Sequence, residues 1–287
     1  MRTRLAAVLA ALGVAGCTGM FFQPHRIKVL TPDKLGLAYE EVRFKTRDGL
    51  ELYGWFLPAK GTPVGTIVQL HGNAENISTH FTSLAWMPAR GFNVFSFDYR
   101  GYGGSEGEPT LEGAQIDIDA AMDAVFARSD IDKDRIVMYG QSLGGALAAY
   151  HVAHSPNHDR LRALVLESAF SDYVGIVREK LADHWFTWPF QWLPQLTVDD
   201  RFSPLPTMAK ISPLPLLVLH GDQDAVVPVQ EGKRLYDAAL EPKQLWIVPG
   251  AGHIQTMGSP AMRDRLVAYL REALARPLPA APGSKGD

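Results

Sequence analysis

Five short, almost continuous apolar segments constrain the fold of this chain more than any other feature of its sequence. A strand that is apolar on both faces is buried on both faces, and such strands are typical of parallel sheets covered by helices. A further segment, residues 245–248, also predicts a strand. The five segments are residues 65–70, 92–97, 136–139, 164–166 and 216–219.

Stretches with helical periodicity lie between these segments, and a β-hairpin precedes them. Polar and apolar residues alternate over 41–46 and resume over 50–56 after the turn Arg47-Asp48-Gly49, which predicts the hairpin. Because strands and helices alternate, we expect right-handed crossovers and one α/β domain with a mostly parallel central sheet and helices on both faces. The predicted helices are residues 77–89, 111–128, 143–154, 230–239 and 261–275.

The predicted strand at 136–139 leads directly into the sequence Gly-Gln-Ser-Leu-Gly at residues 140–144 and then into a helix. A sharp strand-turn-helix corner exposes a serine hydroxyl beside an oxyanion site, which serine needs in order to act as a nucleophile. Glycine at positions 140 and 144 avoids collisions with the neighbouring strand and helix. We therefore predict that Ser142 is a nucleophile.

A second Gly-x-Ser-x-Gly sequence, at residues 103–107, competes with the first one. It follows Arg100-Gly101-Tyr102 rather than a strand, and it leads into Glu108-Pro109 rather than a helix. Because the nucleophile corner requires both elements, we interpret Ser105 as a loop residue.

A histidine late in the chain is the predicted general base. In hydrolases with this corner, the chain order is nucleophile, acid and histidine. His253 lies in a loop directly after the strand at 245–248, where a base can move toward the nucleophile. A histidine that merely forms a turn is the alternative. The other histidines after Ser142 lie on or near its helix, in an aromatic segment or at a strand end: His151, His154, His158, His184 and His220.

Two carboxylates could orient this histidine. Asp222 and Asp224 both follow the predicted strand at 216–219. The residues by themselves leave the two open.

Residues from about 42 to 270 resemble the serine α/β-hydrolases, in particular the Bem46-like group, of serine aminopeptidase type. The resemblance rests on three motifs: Leu-His-Gly-Asn-Ala at 70–74, Asp-Tyr-Arg-Gly-Tyr-Gly at 98–103, and His-Gly-x-x-Asp-x-x-Val-Pro at 220–228. Aligned on the last motif, the resemblance places the catalytic acid at Asp224 and leaves Asp222 as a turn residue.

The same resemblance implies that the oxyanion donors are the backbone N–H groups of Leu143 and Asn73. Asn73 could instead be only a turn former. Arg100 is interpreted as a residue that braces its loop. The resemblance implies no cofactor, and the scattered histidines show no spacing typical of a metal site.

An aromatic insertion interrupts the alternation of strands and helices at about residues 171–211. Three of the six tryptophans of the chain lie within 185–192. We interpret the insertion as a small cap over an apolar substrate pocket. Two alternatives stay open: the rings attach the insertion to the sheet, or they form an exposed patch on a membrane.

The N-terminus predicts export and lipidation. Arg2 and Arg4 precede an apolar stretch at 5–14, which is too short to cross a bilayer but suits a signal peptide. Val-Ala-Gly-Cys at 14–17 resembles the lipobox of bacterial lipoproteins, which implies cleavage before Cys17 and attachment of lipid, such as palmitate, to its sulfur. Cys17 is the only cysteine, so no disulfide can form within the chain, and a small buried thiol is the alternative.

These boundaries divide the chain into four parts. We expect a signal peptide at 1–16, a tether at 17–37, the hydrolase domain at 38–275 and a disordered tail at 276–287. Thr18 after the cysteine favours a lipid anchor at the periplasmic face of the outer membrane. The formal net charge of −3 offers no excess of cations for phosphates, so nucleic acid is excluded as a partner.

The sequence thus predicts a lipid-anchored serine hydrolase that cleaves carboxylic esters of small-molecule substrates with apolar acyl groups. A peptidase, amidase or thioesterase with the same three residues is the alternative within enzymes, because a fold does not determine the leaving group. A non-catalytic envelope lipoprotein is the alternative outside enzymes. The sequence carries no signal for the oligomeric state.

Overall fold

The structure, a computed structural model, describes residues 21–276. The predicted signal peptide, Cys17 and residues 277–287 of the predicted tail lie outside the described residues.

Ten strands are present in the described part of the chain. Eight of them form one sheet with the order β10-β9-β8-β7-β4-β6-β3-β2. The strands are β1 (Gln23–Pro24), β2 (Glu40–Lys45), β3 (Glu51–Leu57), β4 (Gly65–Leu70), β5 (Ala74–Glu75), β6 (Phe92–Phe97), β7 (Ile136–Gln141), β8 (Leu161–Glu167), β9 (Leu216–Gly221) and β10 (Lys243–Val248).

The large sheet is parallel from β6 to β10 along its order, and only the β2–β3 hairpin and the β3–β6 pair are antiparallel. The five central strands β4, β6, β7, β8 and β9 have no exposed residue. The expected mostly parallel sheet and its hairpin are therefore present. The carboxyl ends of the parallel strands lie at one edge of the sheet, which is where ligands bind in such sheets.

Seven α-helices surround the sheet within residues 21–276. They are α1 (Ile77–His80), α2 (Leu111–Ala127), α3 (Leu143–His154), α4 (Tyr173–Ala182), α5 (Pro194–Thr197), α6 (Val229–Ala238) and α7 (Pro260–Ala275). None of the helices described is long and apolar enough to cross a membrane.

Alternate residues of each central strand enter two separate apolar clusters. In β9, Leu216 and Val218 pack in the cluster that contains α2 and α3, whereas Leu217 and Leu219 pack in the cluster that contains α7. Because the side chains of a strand alternate between its faces, each cluster covers one face of the sheet. The expected helices on both faces are thus observed.

The predicted helix at 77–89 is interrupted. After α1 the chain forms two short 3₁₀ turns, Phe81–Ser83 and Pro88–Arg90. Pro88 lacks an N–H and cannot continue a helix in its interior. The apolar residues still pack inward, since Phe81, Leu84 and Met87 are fully buried.

The segment that we expected to be a tether packs on the domain over residues 21–37. Phe21 and Phe22 are buried, and β1 pairs in parallel with β5. The ring of Phe21 lies 4.8 Å from that of Tyr173 and stands edge-on to it. The expectation of a tether for this stretch is therefore wrong, because two aromatic side chains and backbone hydrogen bonds attach it to the domain.

Candidate active site

Ser142 lies at the corner between β7 and α3. Its backbone has φ 53° and ψ −119°, outside the regions that non-glycine residues prefer. Its N–H donates to the carbonyl oxygen of Glu167 at the end of β8, at 2.9 Å. Strain of this kind persists only where the surrounding structure holds it, and it is concentrated at functional sites.

The two glycines of the corner are sterically required, as the sequence predicted. A Cβ on Gly144 would overlap the carbonyl oxygens of Leu70 and His71 at the end of β4. A Cβ on Gly140 would overlap the carbonyl oxygen of Gly144 in the first turn of α3. The helix therefore approaches the sheet closely only because both positions lack a side chain.

Ser105 is placed in a structural role. Its side chain is fully buried, and its Oγ donates to the Asp98 carbonyl oxygen at 2.6 Å. The same Oγ accepts the N–H of Tyr53 at 2.9 Å. The hydroxyl thus joins the 98–107 loop to β3 and is not free to attack a substrate. Arg100 braces the same loop by donating to Asp117 and Asp48.

Asp224 and His253 form a hydrogen-bonded pair. Nδ1 of His253 lies 2.8 Å from Oδ2 of Asp224. Burial would raise the pKa of Asp224, but the hydrogen bonds from His253 and from the N–H groups of Val227 and Val226 outweigh it and lower this pKa. The carboxylate therefore accepts, Nδ1–H donates, and Nε2 is left as the basic nitrogen.

Asp222 has a different environment from Asp224. Its Oδ1 accepts the N–H of Gly250 at 2.7 Å and so fixes the turn after β10. This is the turn role that the family resemblance implied for Asp222.

His220 supports the loop that carries Asp224. Its Nε2 lies 2.9 Å from the carbonyl oxygen of Val227, and because a carbonyl only accepts, Nε2 must be protonated. Burial lowers the pKa of His220, which favours the neutral ring. The sequence identified His220 only as a strand end, since a role of this kind depends on a contact made seven residues later.

Glu167 connects the nucleophile corner to the loop of His253. Its backbone carbonyl binds Ser142, and its buried side chain accepts from Thr256 N and Oγ1 at 3.1 and 2.5 Å. Its other carboxylate oxygen accepts from Tyr139 and Gln141, each at 2.8 Å. Glu167 was not among the site residues predicted from the sequence, although a glutamate at the end of an apolar strand is a signal of a buried polar role.

The loop of His253 reaches the corner itself. A Cβ placed on Gly72 would lie 3.6 Å from Cβ of Ser142 and 3.7 Å from Cδ1 of Ile254. The residue after His253 and the predicted nucleophile therefore border the same glycine. The hydrogen bonds of the described residues include none from Ser142 Oγ to His253, and in unliganded hydrolases such bonds often tighten only when substrate binds.

Leu143 and Asn73, the predicted oxyanion donors, line the same cavity as Ser142. Leu143 is the first residue of α3, so its N–H has no acceptor within the helix. The carbonyl of Asn73 accepts from Tyr102 Oη at 2.5 Å and from Gln23 N at 2.9 Å, which fixes the plane of this loop. Among the hydrogen bonds of the described residues, neither the N–H of Leu143 nor that of Asn73 has an acceptor.

The cavity has a volume of about 310 Å³ and a mostly apolar wall. One side is formed by Phe21, from the segment that precedes β1, and another by α4 of the insertion. Lys180 is the only charged residue among those lining it in the described chain. The lining consists of Phe21, Gln23, Asn73, Ser142, Leu143, Phe170, Ile176, Val177, Lys180, Val226 and Val227.

The aromatic run of the insertion is not part of this wall. Trp185, Trp188 and Trp192 are 87%, 62% and 56% exposed. The rings therefore neither cover the pocket nor attach the insertion to the sheet, and α4 is the part of the insertion that borders the site. Within residues 21–276, no three His, Cys, Asp or Glu side chains are grouped to hold a metal ion.

Solved structures with the same architecture define the class of fold. The Pyrococcus furiosus esterase Pf2001 superposes with a TM-score of 0.69 at 22% identity, covering 90% of this chain and 100% of that one. The Pyrococcus horikoshii acylaminoacyl peptidase superposes with a TM-score of 0.61 at 21% identity, covering 84% and 42%. At these identities the likeness shows the fold alone, which is that of the α/β-hydrolases, as the sequence predicted.

The family follows from the sequence comparisons. Residues 78–275 match the prolyl oligopeptidase family, and the chain belongs to it. The uncharacterized protein YfhR of Salmonella typhi is 37% identical over 251 residues, 82% of each chain. Protein bem46 of Schizosaccharomyces pombe is 32% identical over 217 residues, 72% of this chain and 68% of that one. The resemblance to Bem46 is therefore confirmed, whereas the family matched is that of the prolyl oligopeptidases rather than the serine aminopeptidases.

Proposed function

We propose that this protein is a serine hydrolase that cleaves carboxylic esters with apolar acyl groups. The observation that carries the proposal is the hydrogen-bonded pair of Asp224 and His253, whose loop borders with Ile254 the same glycine, Gly72, as the strained Ser142 on the cavity wall. The three residues follow the carboxyl ends of three parallel strands, Ser142 after β7, Asp224 after β9 and His253 after β10, and this edge of the sheet is where α/β enzymes bind their ligands. An arrangement that served only for stability would not need the strained serine.

The proposed reaction is acyl transfer through Ser142. His253 Nε2 takes the hydroxyl proton while Ser142 Oγ attacks the ester carbonyl, and Asp224 stabilises the imidazolium without taking the proton. The N–H groups of Leu143 and Asn73 hold the negative oxygen of the tetrahedral intermediate. His253 then protonates the leaving alcohol, and water hydrolyses the acyl-enzyme by the same route.

The apolar wall of the cavity favours an acyl chain as the group that binds there. Phe21, Phe170, Ile176 and Val177 offer contact area and no hydrogen-bonding partner for a polar substrate group. Burying each methylene of an acyl chain against such a wall contributes about 0.8 kcal/mol. We therefore propose that activity rises with acyl length until the cavity is filled.

A peptidase or amidase is the second candidate, because the family to which the chain belongs is that of the prolyl oligopeptidases. The same three residues cleave amides when the leaving amine is held and protonated.

Substrate profiling separates these candidates. We expect p-nitrophenyl esters of medium acyl chains to be cleaved with a kcat/KM at least tenfold above that of aminoacyl p-nitroanilides and acyl thioesters. In Ser142→Ala the ester activity should fall by at least about 10⁴-fold, because the nucleophile is lost. A preference for anilides would support the peptidase, a preference for thioesters would reject the ester assignment, and full ester activity in Ser142→Ala would overturn the mechanism.

We further propose that the protein acts at the bacterial cell envelope, anchored by lipid on Cys17 at the periplasmic face of the outer membrane. The lipobox-like sequence at 14–17 and the preceding apolar stretch support the proposal. One acyl chain gives only marginal membrane binding, so a stable anchor requires more than one.

A further inference from the structure

The surface of the insertion between residues 184 and 198 is apolar, exposed and free of formal charge. No Asp, Glu, Lys or Arg occurs in these fifteen residues. Seven large apolar side chains are exposed here, whereas isolated exposed apolar residues are the usual case elsewhere on a protein. They are Trp185 87%, Phe186 57%, Trp188 62%, Phe190 50%, Trp192 56%, Leu193 39% and Leu196 75%. We call residues 184–198 the aromatic surface.

Hydrogen bonds at the start of the aromatic surface attach it to the end of α4. Thr187 Oγ1 donates to the carbonyl oxygen of Leu181 at 2.7 Å, and the N–H of Trp188 donates to the carbonyl oxygen of His184 at 2.9 Å. The segment thus continues directly from α4, whose Ile176, Val177 and Lys180 line the cavity of Ser142. The apolar side chains are therefore presented by a folded part of the domain.

The start of the described chain lies on the same part of the molecule. Phe21 packs on Tyr173, the first residue of α4, and lines the same cavity. A ten-residue helix is about 15 Å long, so Phe21, which contacts its first residue, lies within roughly 20 Å of the end of α4, where the aromatic surface begins. Cys17 precedes Phe21 by four residues, which reach at most about 14 Å.

We infer that the aromatic surface binds a lipid bilayer and lies in its interfacial layer. Two observations select a bilayer over a protein partner. The surface combines tryptophan with phenylalanine and leucine and carries no charge, as do segments that lie at a membrane interface. In addition, the lipid anchor proposed above is on Cys17, only four residues before Phe21, so a bilayer that holds this anchor is within reach of the surface, and the inference rests on the anchor to this extent.

This contact would place the cavity of Ser142 next to the bilayer. Phe21 and α4 form walls of the cavity, and both are adjacent to the groups that would meet lipid. A substrate with an acyl chain could pass from the bilayer to the cavity without crossing bulk water. The inference goes beyond the proposed reaction, because membrane contact requires no turnover.

Tryptophan fluorescence on vesicles tests the inference. The full chain is added to phosphatidylcholine vesicles whose acyl chains carry bromine near the headgroups, since bromine quenches only tryptophans that reach the lipid. Of the three tryptophans outside the aromatic surface, Trp55 and Trp246 are buried and Trp86 is half-buried against the core, so quenching reports mainly on the aromatic surface. We expect at least about a third of the fluorescence to be quenched, and no decrease of quenching in 0.5 M salt because the surface is uncharged.

Three variants make the test specific. Replacing Trp185, Trp188 and Trp192 by phenylalanine keeps an apolar surface and should abolish the quenching. Phe186→Ser with Leu196→Ser keeps all tryptophans and should reduce the quenching at least twofold. Leu35→Ser with Leu240→Ser changes two exposed apolar residues outside the surface, 48% and 57% exposed, and should leave quenching unchanged.

Quenching reports whether the tryptophans reach the lipid and does not depend on catalysis. A negative result would therefore leave the proposed hydrolase activity unaffected. Absence of quenching in the membrane-bound full chain would overturn the inference, and so would equal quenching in the phenylalanine variant. A dimer that dissociates in Phe186→Ser with Leu196→Ser, together with unquenched fluorescence on vesicles, would assign the surface to a second copy of this chain instead.

Discussion

At the scale of single residues, the site depends on which carboxylate meets the histidine. Asp224 accepts from His253, whereas Asp222 accepts from the backbone of Gly250. The two aspartates are two residues apart, and both follow β9. Sequence alone could not separate them because the direction of a side chain in a loop depends on the turn geometry. The family resemblance separates the two aspartates, because the aligned motif assigns the catalytic acid to one position of the loop.

Asp224→Asn should lower kcat by about 10⁴-fold with a small change in KM, because asparagine offers an N–H to His253 and favours the wrong tautomer. Asp222→Asn is the matched control. It keeps an oxygen for Gly250 N–H, so its kcat should change less than about tenfold. Steady-state kinetics on one ester measure both values of kcat. A larger fall of kcat in Asp222→Asn than in Asp224→Asn would show that Asp222, and not Asp224, orients His253.

At the scale of elements, Glu167 holds two loops together. The carbonyl of this residue binds the corner of Ser142, and its side chain binds Thr256 in the loop that carries His253. Both carboxylate oxygens accept two donors each. A catalytic histidine on a loop needs such support, since a displacement of about 1 Å costs about 10²-fold in rate.

Glu167→Gln should therefore lower kcat by about 10- to 100-fold while KM changes less than about twofold. The amide NH₂ of glutamine would face donors on one side, which leaves a buried group without a partner. Thr256→Ser keeps the hydroxyl and serves as the control with near-normal kcat. Stopped-flow measurement of ester cleavage tests this, and an unchanged kcat in a folded Glu167→Gln would show that Glu167 does not position His253.

The same elements show what sequence can and cannot predict. The strands, the corner of Ser142 and the late histidine could be predicted from the sequence, because each depends on a local pattern of residues. The pairing of β1 with β5 and the place of Phe21 in the cavity were missed, because they depend on contacts some fifty to a hundred and fifty residues apart. The rings of the insertion were expected to cover the pocket, but they are exposed. Aromatic composition indicates that a segment makes contacts, but it does not indicate with what.

At the scale of the whole molecule, the proposed anchor and the domain are joined by a short connection. Because residues 21–37 pack on the domain, only the few residues between Cys17 and Phe21 separate a lipidated cysteine from the cavity wall. The proposed enzyme would therefore work close to the membrane surface rather than at the end of a long tether.

Growth with labelled palmitate tests the proposed anchor. The full chain should incorporate the label, and Cys17→Ala should incorporate none, because the sulfur that accepts lipid is absent. Ser142→Ala is the necessary control, since an acyl-enzyme could carry palmitate on the serine. Its labelling should equal that of the unchanged protein. Label that remains in Cys17→Ala would contradict the lipoprotein assignment.

Covalent labelling shows whether Ser142 is the activated nucleophile of this fold. A fluorophosphonate reacts with serines activated by a histidine, and peptide mass spectrometry locates the adduct. We predict one adduct on the tryptic peptide 136–160, which is absent in Ser142→Ala, and none on peptide 101–128, which carries Ser105. An unmodified wild-type protein, or an adduct that persists in Ser142→Ala, would show that Ser142 is not the activated nucleophile.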